Sequence, residues 1–234
     1  MKIWKENLAM KKTFICLANS RKLSGLCIAG KTLDDLSSFR PISSRPTEEL
    51  SEIEIRYKNG QLPKLLDVIT VEIKNAKPNR FQPENHLIDT DYYWSFDSHF
   101  NFDDLDKFID NPSCFWTNTE SSYNGKNDRI APFYFNTIKK SYIFLKLTSS
   151  TIIVREEGRE FGNPKRKVRL RFVINDKEYV LPITHPEVER YYLGKDDGEY
   201  IINEVHYVSV SSGMPHSDGK IYLFAAGIIR NGIY

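Results

Sequence analysis

Apolar residues in the first part of the chain fall in short runs, which polar segments with glycine or proline interrupt. Runs of this length, with apolar and polar positions alternating, are typical of β-strands. The segment 102–109 has a helical spacing of apolar residues, and the polar stretch 117–128 predicts a long loop. An aromatic run predicts a strand over 131–135. The strands predicted before it cover 13–18, 26–29, 39–42 and 65–73.

The rest of the chain has a clearer order of elements. The pattern predicts, in sequence, one bent strand (142–147 and 151–155), strands at 167–175 and 178–183, a helix at 185–193, an extended region at 200–210 and a strand at 220–230. Thr184 precedes the helix and is expected to cap it. Five strands with a helix between the third and the fourth follow the order of an OB-fold barrel.

Composition is that of an ordinary globular protein. Of 234 residues, 40% are hydrophobic, and 33 basic against 31 acidic side chains give a net charge of +2. This balance does not indicate nucleic-acid binding by itself, so any basic surface has to be local. No stretch has the length of a membrane span or the core of a signal peptide, which favours the cytoplasm and no membrane partner. Residues 1–10 are expected to form a loose leader.

The three cysteines, Cys16, Cys27 and Cys114, show no pairing pattern. Cys16 and Cys27 lie in apolar runs, which favours small buried residues of a reduced protein. The chain has no Cys-x-x-Cys pair and no cluster of cysteine with histidine. We therefore expect no metal site and no cofactor.

A polar tip interrupts the first two predicted strands. It consists of Asn19, Ser20, Arg21 and Lys22, and Lys31 follows beyond the next apolar run. Short polar side chains let the backbone approach a ligand, and arginine and lysine supply positive charge. The tip is therefore a candidate phosphate-binding loop. The alternative is a simple hairpin turn in which the Asn and Ser side chains bond to the backbone.

Arg40 and Ser43 stand on either side of a stiff proline-containing segment. An arginine fork suits a phosphate or a carboxylate, so both residues are candidates for contacts to a phosphate. The alternative is a structural arginine that pairs with Asp67 or Glu84.

The densest cluster of polar side chains comprises Gln82, Glu84, Asn85 and His86. Amide side chains such as Gln82 and Asn85 can bind a base edge, and Glu84 can accept a hydrogen bond from an exocyclic amine. Glu84 and His86 together are also the minimum for acid–base catalysis. The alternative is a buried polar network that holds a loop in place.

The segment 165–172 alternates basic and apolar residues. Lys167, Arg169 and Arg171 are predicted on one face of a strand, with the apolar residues on the other. Because this is the second strand of the predicted barrel, its cations are candidates for contacts to an oligonucleotide. The alternative is a solvated face balanced by the glutamates at 156–160.

Two segments near the start of the chain, 16–22 and 25–30, and the motif Arg40-Pro-Ile-Ser43 together resemble the bacterial dual OB-containing domain family. The motif of the family is usually written Trp-Ile-Arg-Pro-Val-Ser. In this chain the Trp-Ile pair is absent, and Phe39 stands at the aromatic-side approach to the motif. Further similar segments are 63–69, 82–89, 183–187, 208–211 and 222–226.

This resemblance implies a mainly β protein of two OB-fold-like barrels in tandem, with short helices and long loops. We place the first barrel at 11–138 and the second at 139–234. The family is associated with predicted nucleic-acid recognition in prokaryotic conflict systems. The implied partners are a nucleic acid, DNA or RNA, or a nucleotide, together with a possible partner protein of an antiviral defence module.

Three functions remain open from the sequence. The favoured one is recognition of nucleic acid or a nucleotide within a defence system. The second is an enzyme that acts on a nucleotide or modified base through Glu84 and His86, with Asn19 nearby. The third is an adaptor that binds a protein through a sheet edge or the basic strand.

Overall fold

A computed structural model describes residues 10–111, 113, 116 and 120–232. The strands are β1 (Met10–Lys22), β2 (Gly25–Thr32), β3 (Ser38–Ile42), β4 (Asp67–Ala76), β5 (Asn85–Ile88), β6 (Ser95–His99), β7 (Arg129–Ile130), β8 (Tyr142–Leu147), β9 (Ser150–Glu157), β10 (Lys165–Ile174), β11 (Lys177–Pro182), β12 (Gly198–Ile202), β13 (His206–Ser212) and β14 (Ile221–Arg230). The helices are α1 (Glu52–Ile55), α2 (Pro186–Leu193) and 3₁₀ helices at Phe102–Phe108, Pro132–Thr137 and Arg159–Phe161. Within this described part of the chain, no helix has the length and apolar character that crossing a membrane requires.

Strands β1 to β5 close into the first barrel, in the order β1-β2-β3-β5-β4 with β4 returning to β1. β3 and β5 pair in parallel, and the other neighbours are antiparallel. Closure is possible because the long strand β1 pairs with β4 through its first residues and with β2 through its later ones. A bulge between Cys16 and Ala18 bends the strand between these two pairings. This strand order is that of an OB fold.

Strands β8 to β14 form the second barrel. β8 and β9 act as one bent strand shared by two sheets, and β12 and β13 act as another. A parallel bridge between Ile183 and Ala225 joins the β11 and β14 edges. The predicted order of a bent strand, two strands, a helix and two further strands is therefore confirmed. The mainly β fold with two OB-like barrels is confirmed as well, whereas the boundary at residues 138 and 139 stays a prediction.

Two local predictions are wrong. The aromatic run 131–135 lies in the 3₁₀ helix Pro132–Thr137, because a proline at the first helical position favours a turn over a strand. Thr184 does not cap α2, since its hydroxyl accepts a hydrogen bond from Ser20 and donates one to the carbonyl of Ala225. His185 precedes the helix and makes no capping bond with its side chain.

The two barrels share a hydrophobic core. Its largest side chains include Phe108 from the 3₁₀ helix after the first barrel and Tyr142 and Phe144 from β8. Backbones also approach closely, because a Cβ atom at Gly227 of β14 would lie 2.4 Å from the carbonyl oxygen of Leu17 of β1. Glycine is required there for the barrels to pack in this way. The fixed packing places the open face of the first barrel beside a loop of the second.

Candidate functional site

A cavity of about 510 Å³ lies between the two barrels. The first barrel forms one wall of it with the end of β1, with β2 and β3, and with the loop that leads into β5. The side chains of this wall include Arg21, Lys22, Cys27, Arg40 and Gln82. All of these except Cys27 are residues that the sequence pattern predicts to contact a phosphate or a base.

The second barrel forms the opposite wall with the loop between β13 and β14. The end of β13 and this loop contribute residues 211–216, among them Met214 and Pro215, and β14 adds Tyr222 and Phe224. The sequence reading missed this wall. The signal that could have found it is the position of the loop between the fourth and fifth strands of an OB barrel, where these folds commonly hold ligands.

The cavity is lined by positive charge. Arg21, Lys22 and Arg40 border it, and none of the lining residues that the structure describes is an aspartate or glutamate. Arg21 Nη2 donates to Glu189 Oε1 of α2 at 2.6 Å, and Lys22 Nζ donates to the carbonyl oxygen of Thr47. The charge of Arg21 is thus partly compensated from outside the cavity. Lys22 bonds to a neutral carbonyl, and its charge also acts on the carboxylate of Glu49, which does not line the cavity.

Arg40 is the most buried of these cations, with 7% of its surface exposed. Its Nη1 donates to Ser141 Oγ at 3.1 Å, and it forms no ion pair with any carboxylate in the described part of the chain. The two carboxylates suggested as its partners have other donors: Tyr57 donates to Asp67, and Ser141 donates to Glu84. The Ser141 hydroxyl that accepts from Arg40 is the one that donates to the buried Glu84, so this carboxylate lies one hydroxyl away from the guanidinium. Because no carboxylate of the described residues bonds to Arg40 directly, its other N–H groups remain available to an anion that enters the cavity.

The rest of the polar tip connects the two barrels. Ser20 Oγ donates to Thr184 Oγ1 at 2.8 Å, and the backbone N–H of Arg21 donates to the carbonyl of Thr184 at 2.9 Å. Asn19 lies outside the cavity, where its Nδ2 donates to the carbonyl of Pro63 at 3.3 Å. The tip is thus more than a hairpin turn, because it fixes the first barrel against the second.

Lys31 and Ser43 lie away from the cavity. Lys31 Nζ forms a buried ion pair with Asp110 Oδ1 at 2.7 Å. Ser43 Oγ donates to Glu54 Oε1 of α1 at 2.6 Å. The structure does not bring these two residues together with Arg40 at one surface.

Only part of the polar cluster near β5 lies at the cavity. Gln82 lines the cavity and accepts a hydrogen bond from Asn85 Nδ2 at 3.2 Å through its Oε1. Glu84 Oε1 accepts from the N–H and the hydroxyl of Ser141 at 2.9 and 2.6 Å. His86 Nδ1 lies 2.9 Å from the backbone oxygen of Glu84, not from its carboxylate. Glu84 and His86 do not line the cavity, and they form no acid–base pair with each other.

The basic strand β10 has the predicted alternation. Val168, Leu170 and Phe172 are buried, and the intervening basic residues are not part of the core. Arg169 makes two hydrogen bonds to the carboxylate of Glu157, at 2.7 and 2.9 Å. This face of β10 therefore carries an internal ion pair.

Arg171 is paired as well, through two hydrogen bonds to Glu199 at 2.9 and 2.5 Å. These bonds lower the pKa of Glu199 and raise that of Arg171, so both groups stay charged. Lys167 is exposed and has no ion pair with any residue that the structure describes. Of the three predicted cations of β10, only Lys167 lacks a carboxylate partner.

The described cysteines have different environments. Cys16 is fully buried, and burial raises the pKa of its thiol, which keeps it protonated. Cys27 is partly exposed and lines the cavity. Cys114 lies outside the described residues, as do residues 1–9 of the predicted leader.

Comparison with known proteins supports the architecture. No curated protein and no solved structure matches the chain significantly. The family model of the dual OB-containing domain matches residues 12–228, which is nearly the whole chain and includes both barrels. The match agrees with the closed strand order of the first barrel and with the segments that resemble this family. The chain therefore belongs to the dual OB-containing domain family.

Proposed function

We propose that this protein binds a single-stranded nucleic acid or a nucleotide in the cavity between its two barrels. The observation that carries the proposal is that Arg40, a buried cation, lines the cavity and forms no direct ion pair with a carboxylate of the described residues. The planar guanidinium of arginine can bind two oxygens of a tetrahedral phosphate group at once.

The position of the cavity within the fold supports the same function. OB folds bind oligonucleotides on the face of their second and third strands, between the loops that join strands 1 and 2 and strands 4 and 5. In the first barrel these parts are β2 with Cys27, β3 with Arg40, the β1–β2 turn with Lys22 and the β4–β5 loop with Gln82. All four border the cavity.

The second wall supplies the apolar surface that a base requires. Tyr222 and Phe224 line it together with Met214 and Pro215. Aromatic and apolar side chains accept bases of any sequence by stacking, because every base has a π face. Cations on one wall and apolar groups on the other suit a ligand with a phosphate and a base.

In the second barrel the corresponding face, formed by β10 and β11, is less suited to binding a nucleic acid. Its outer surface is covered in part by residues 120–128, from which Lys126 pairs with Val180 and Asn127 donates to the carbonyl of Glu178. Two of its three cations are held by glutamates.

The resemblance to a family of prokaryotic conflict systems supports a defence role for the protein, with a partner protein acting beside the bound nucleic acid.

A pair of charge reversals tests the location of the site. We expect Lys22→Glu to weaken binding of a fluorescent oligothymidine several-fold in an anisotropy titration at low salt. It should also reduce the slope of log K against log salt by about 0.7, the value for one lost phosphate contact on a single strand. Lys167→Glu makes the same charge change on β10 and serves as the control, for which no change is expected. If Lys167→Glu loses more affinity for the oligothymidine than Lys22→Glu does, the binding site lies on the second barrel.

A further inference from the structure

We infer that the cavity takes a single nucleotide unit with a terminal phosphate, either free or at the end of a strand, and excludes the interior of a longer strand. This inference rests on the proposed function and narrows it to one ligand chemistry, a nucleoside phosphomonoester. Three features of the cavity carry it: its size, its closure and its unpartnered polar groups.

The size of the cavity suits one nucleotide unit. A volume of 510 Å³ equals a cube about 8 Å on each side, within the range of pockets that hold one small ligand, roughly 300–1,000 Å³. OB folds that bind a continuous single strand hold about four or more nucleotides along an open groove. The cavity is too short for such a stretch.

The second barrel closes the groove at the β1–β2 turn. At this end the backbone of Arg21 is bonded to Thr184 at 2.9 Å, and the Arg21 side chain is paired with Glu189 of α2 at 2.6 Å. Ser20 adds a third contact to Thr184. A strand that followed the usual path across β2 and β3 would have to break these contacts to leave the first barrel.

The β13–β14 loop covers the cavity from the other side, and its own bonds hold it in shape. The N–H of Gly213 donates to the carbonyl of Tyr222 at 2.9 Å, and that of His216 donates to the carbonyl of Lys220 at 2.8 Å. Tyr222 also donates its hydroxyl to Asp218 at 2.8 Å. The cover is therefore a structured hairpin that narrows the cavity from the side of the second barrel.

Two polar side chains of the lining lie next to Ser141. Arg40 Nη1 donates to the Ser141 hydroxyl at 3.1 Å, and the N–H of Ser212 donates to the Ser141 carbonyl at 2.8 Å. The Oγ of Ser212 is buried and has no hydrogen-bond partner among the described residues. A terminal phosphate carries a charge of about −1.5 to −2 at pH 7 and has three free oxygens, whereas an internal phosphodiester carries only −1. The terminal group can satisfy the guanidinium and the hydroxyl together.

A competition experiment with the full-length protein tests this inference. The probe is a fluorescent oligothymidine with a terminal phosphate. The competitors are the same oligomer without the phosphate, a covalently closed circle of the same length, thymidine monophosphate and inorganic phosphate. We expect the phosphorylated oligomer, the free monophosphate, or both to bind about tenfold or more tightly than the circle. Competition by the phosphorylated oligomer would identify the end of a strand as the ligand, and competition by thymidine monophosphate would identify a free nucleotide.

Variants of Ser212 connect this preference to the pocket. Ser212→Ala should reduce the advantage of the phosphorylated oligomer over the unphosphorylated one, while Ser217→Ala on the exposed part of the same loop should leave it unchanged. If the circle binds as tightly as the phosphorylated oligomer, the pocket inference is wrong and the proposed function still stands. If only inorganic phosphate competes, the inference is also wrong. If nothing binds, both the inference and the proposed function are wrong.

Discussion

Replacement of Asp110 by alanine is expected to lower the free energy of unfolding by about 3–5 kcal/mol, the usual cost of leaving a buried charge without its partner. Asp110 is 5% exposed, and its Oδ1 accepts from Lys31 at 2.7 Å and from Lys140 at 2.9 Å. Its Oδ2 accepts from the N–H of Phe144 in β8 at 2.9 Å. One carboxylate thus joins β2 of the first barrel to β8 of the second. Urea denaturation at neutral pH measures the loss.

Two further variants separate this effect from a general loss of charge. Asp197→Ala removes an exposed carboxylate that pairs with Arg166, and we expect it to change stability by less than about 1 kcal/mol. The double variant Lys31→Met with Asp110→Asn removes both buried charges and should recover part of the loss. Equal effects of Asp110→Ala and Asp197→Ala would contradict this role.

The same contacts of Asp110 determine how the stability of the protein depends on pH. Burial alone would raise the pKa of Asp110, but hydrogen bonds from Lys31 and Lys140 outweigh it and hold the pKa below its usual value. A carboxylate with a lowered pKa stabilises the fold above its unfolded pKa of about 3.9, and this contribution is lost as the pH falls through the folded pKa. The difference in stability between the native protein and Asp110→Asn should therefore shrink at acid pH.

Replacement of Arg40 by methionine is expected to weaken binding of a phosphorylated oligothymidine about 10- to 100-fold, which corresponds to the loss of charged hydrogen bonds worth about 1.5–3 kcal/mol. Methionine keeps much of the length and the apolar stem of the side chain but none of its charge. Arg40 forms no direct ion pair with any described residue, and the buried Glu84 nearest to it keeps its two hydrogen bonds from Ser141.

Stability is the control for this variant. Arg40→Met should lose no more than about 1.5–3 kcal/mol of stability, the value of one hydrogen bond that involves a charged group, because its side chain has the single bond to Ser141 among the described residues. Arg169→Met removes a partly buried arginine that is paired with Glu157, so this variant should be less stable than the native protein and should keep its binding. The opposite pattern, with Arg40→Met unstable and Arg169→Met unable to bind, would contradict the assignment of the site.

Local patterns in the sequence account for the fold. The second barrel was predictable because each strand of it has short apolar runs, and because Val168 and Leu170 alternate with basic residues at the period of a strand. The prediction of a strand at 131–135 is wrong because aromatic content alone does not distinguish a strand from a 3₁₀ helix that begins at Pro132. The family resemblance then extended the OB order to the first barrel.

The site could be predicted only in part, because it depends on how the barrels pack. The polar tip and Arg40 were visible as isolated cationic segments. Nothing local shows that Arg169 meets Glu157 while Arg40 meets no carboxylate. Those outcomes depend on partners that are distant in sequence, as does the wall formed by the β13–β14 loop.

The most direct test of the cavity as the binding site is a crystal structure of the protein with a phosphorylated oligothymidine. We predict that a phosphate lies within hydrogen-bond distance of the Arg40 guanidinium, with a base against Phe224 and Met214. Nucleotides bound along β10 of the second barrel, with the cavity between the barrels empty, would contradict the proposed site.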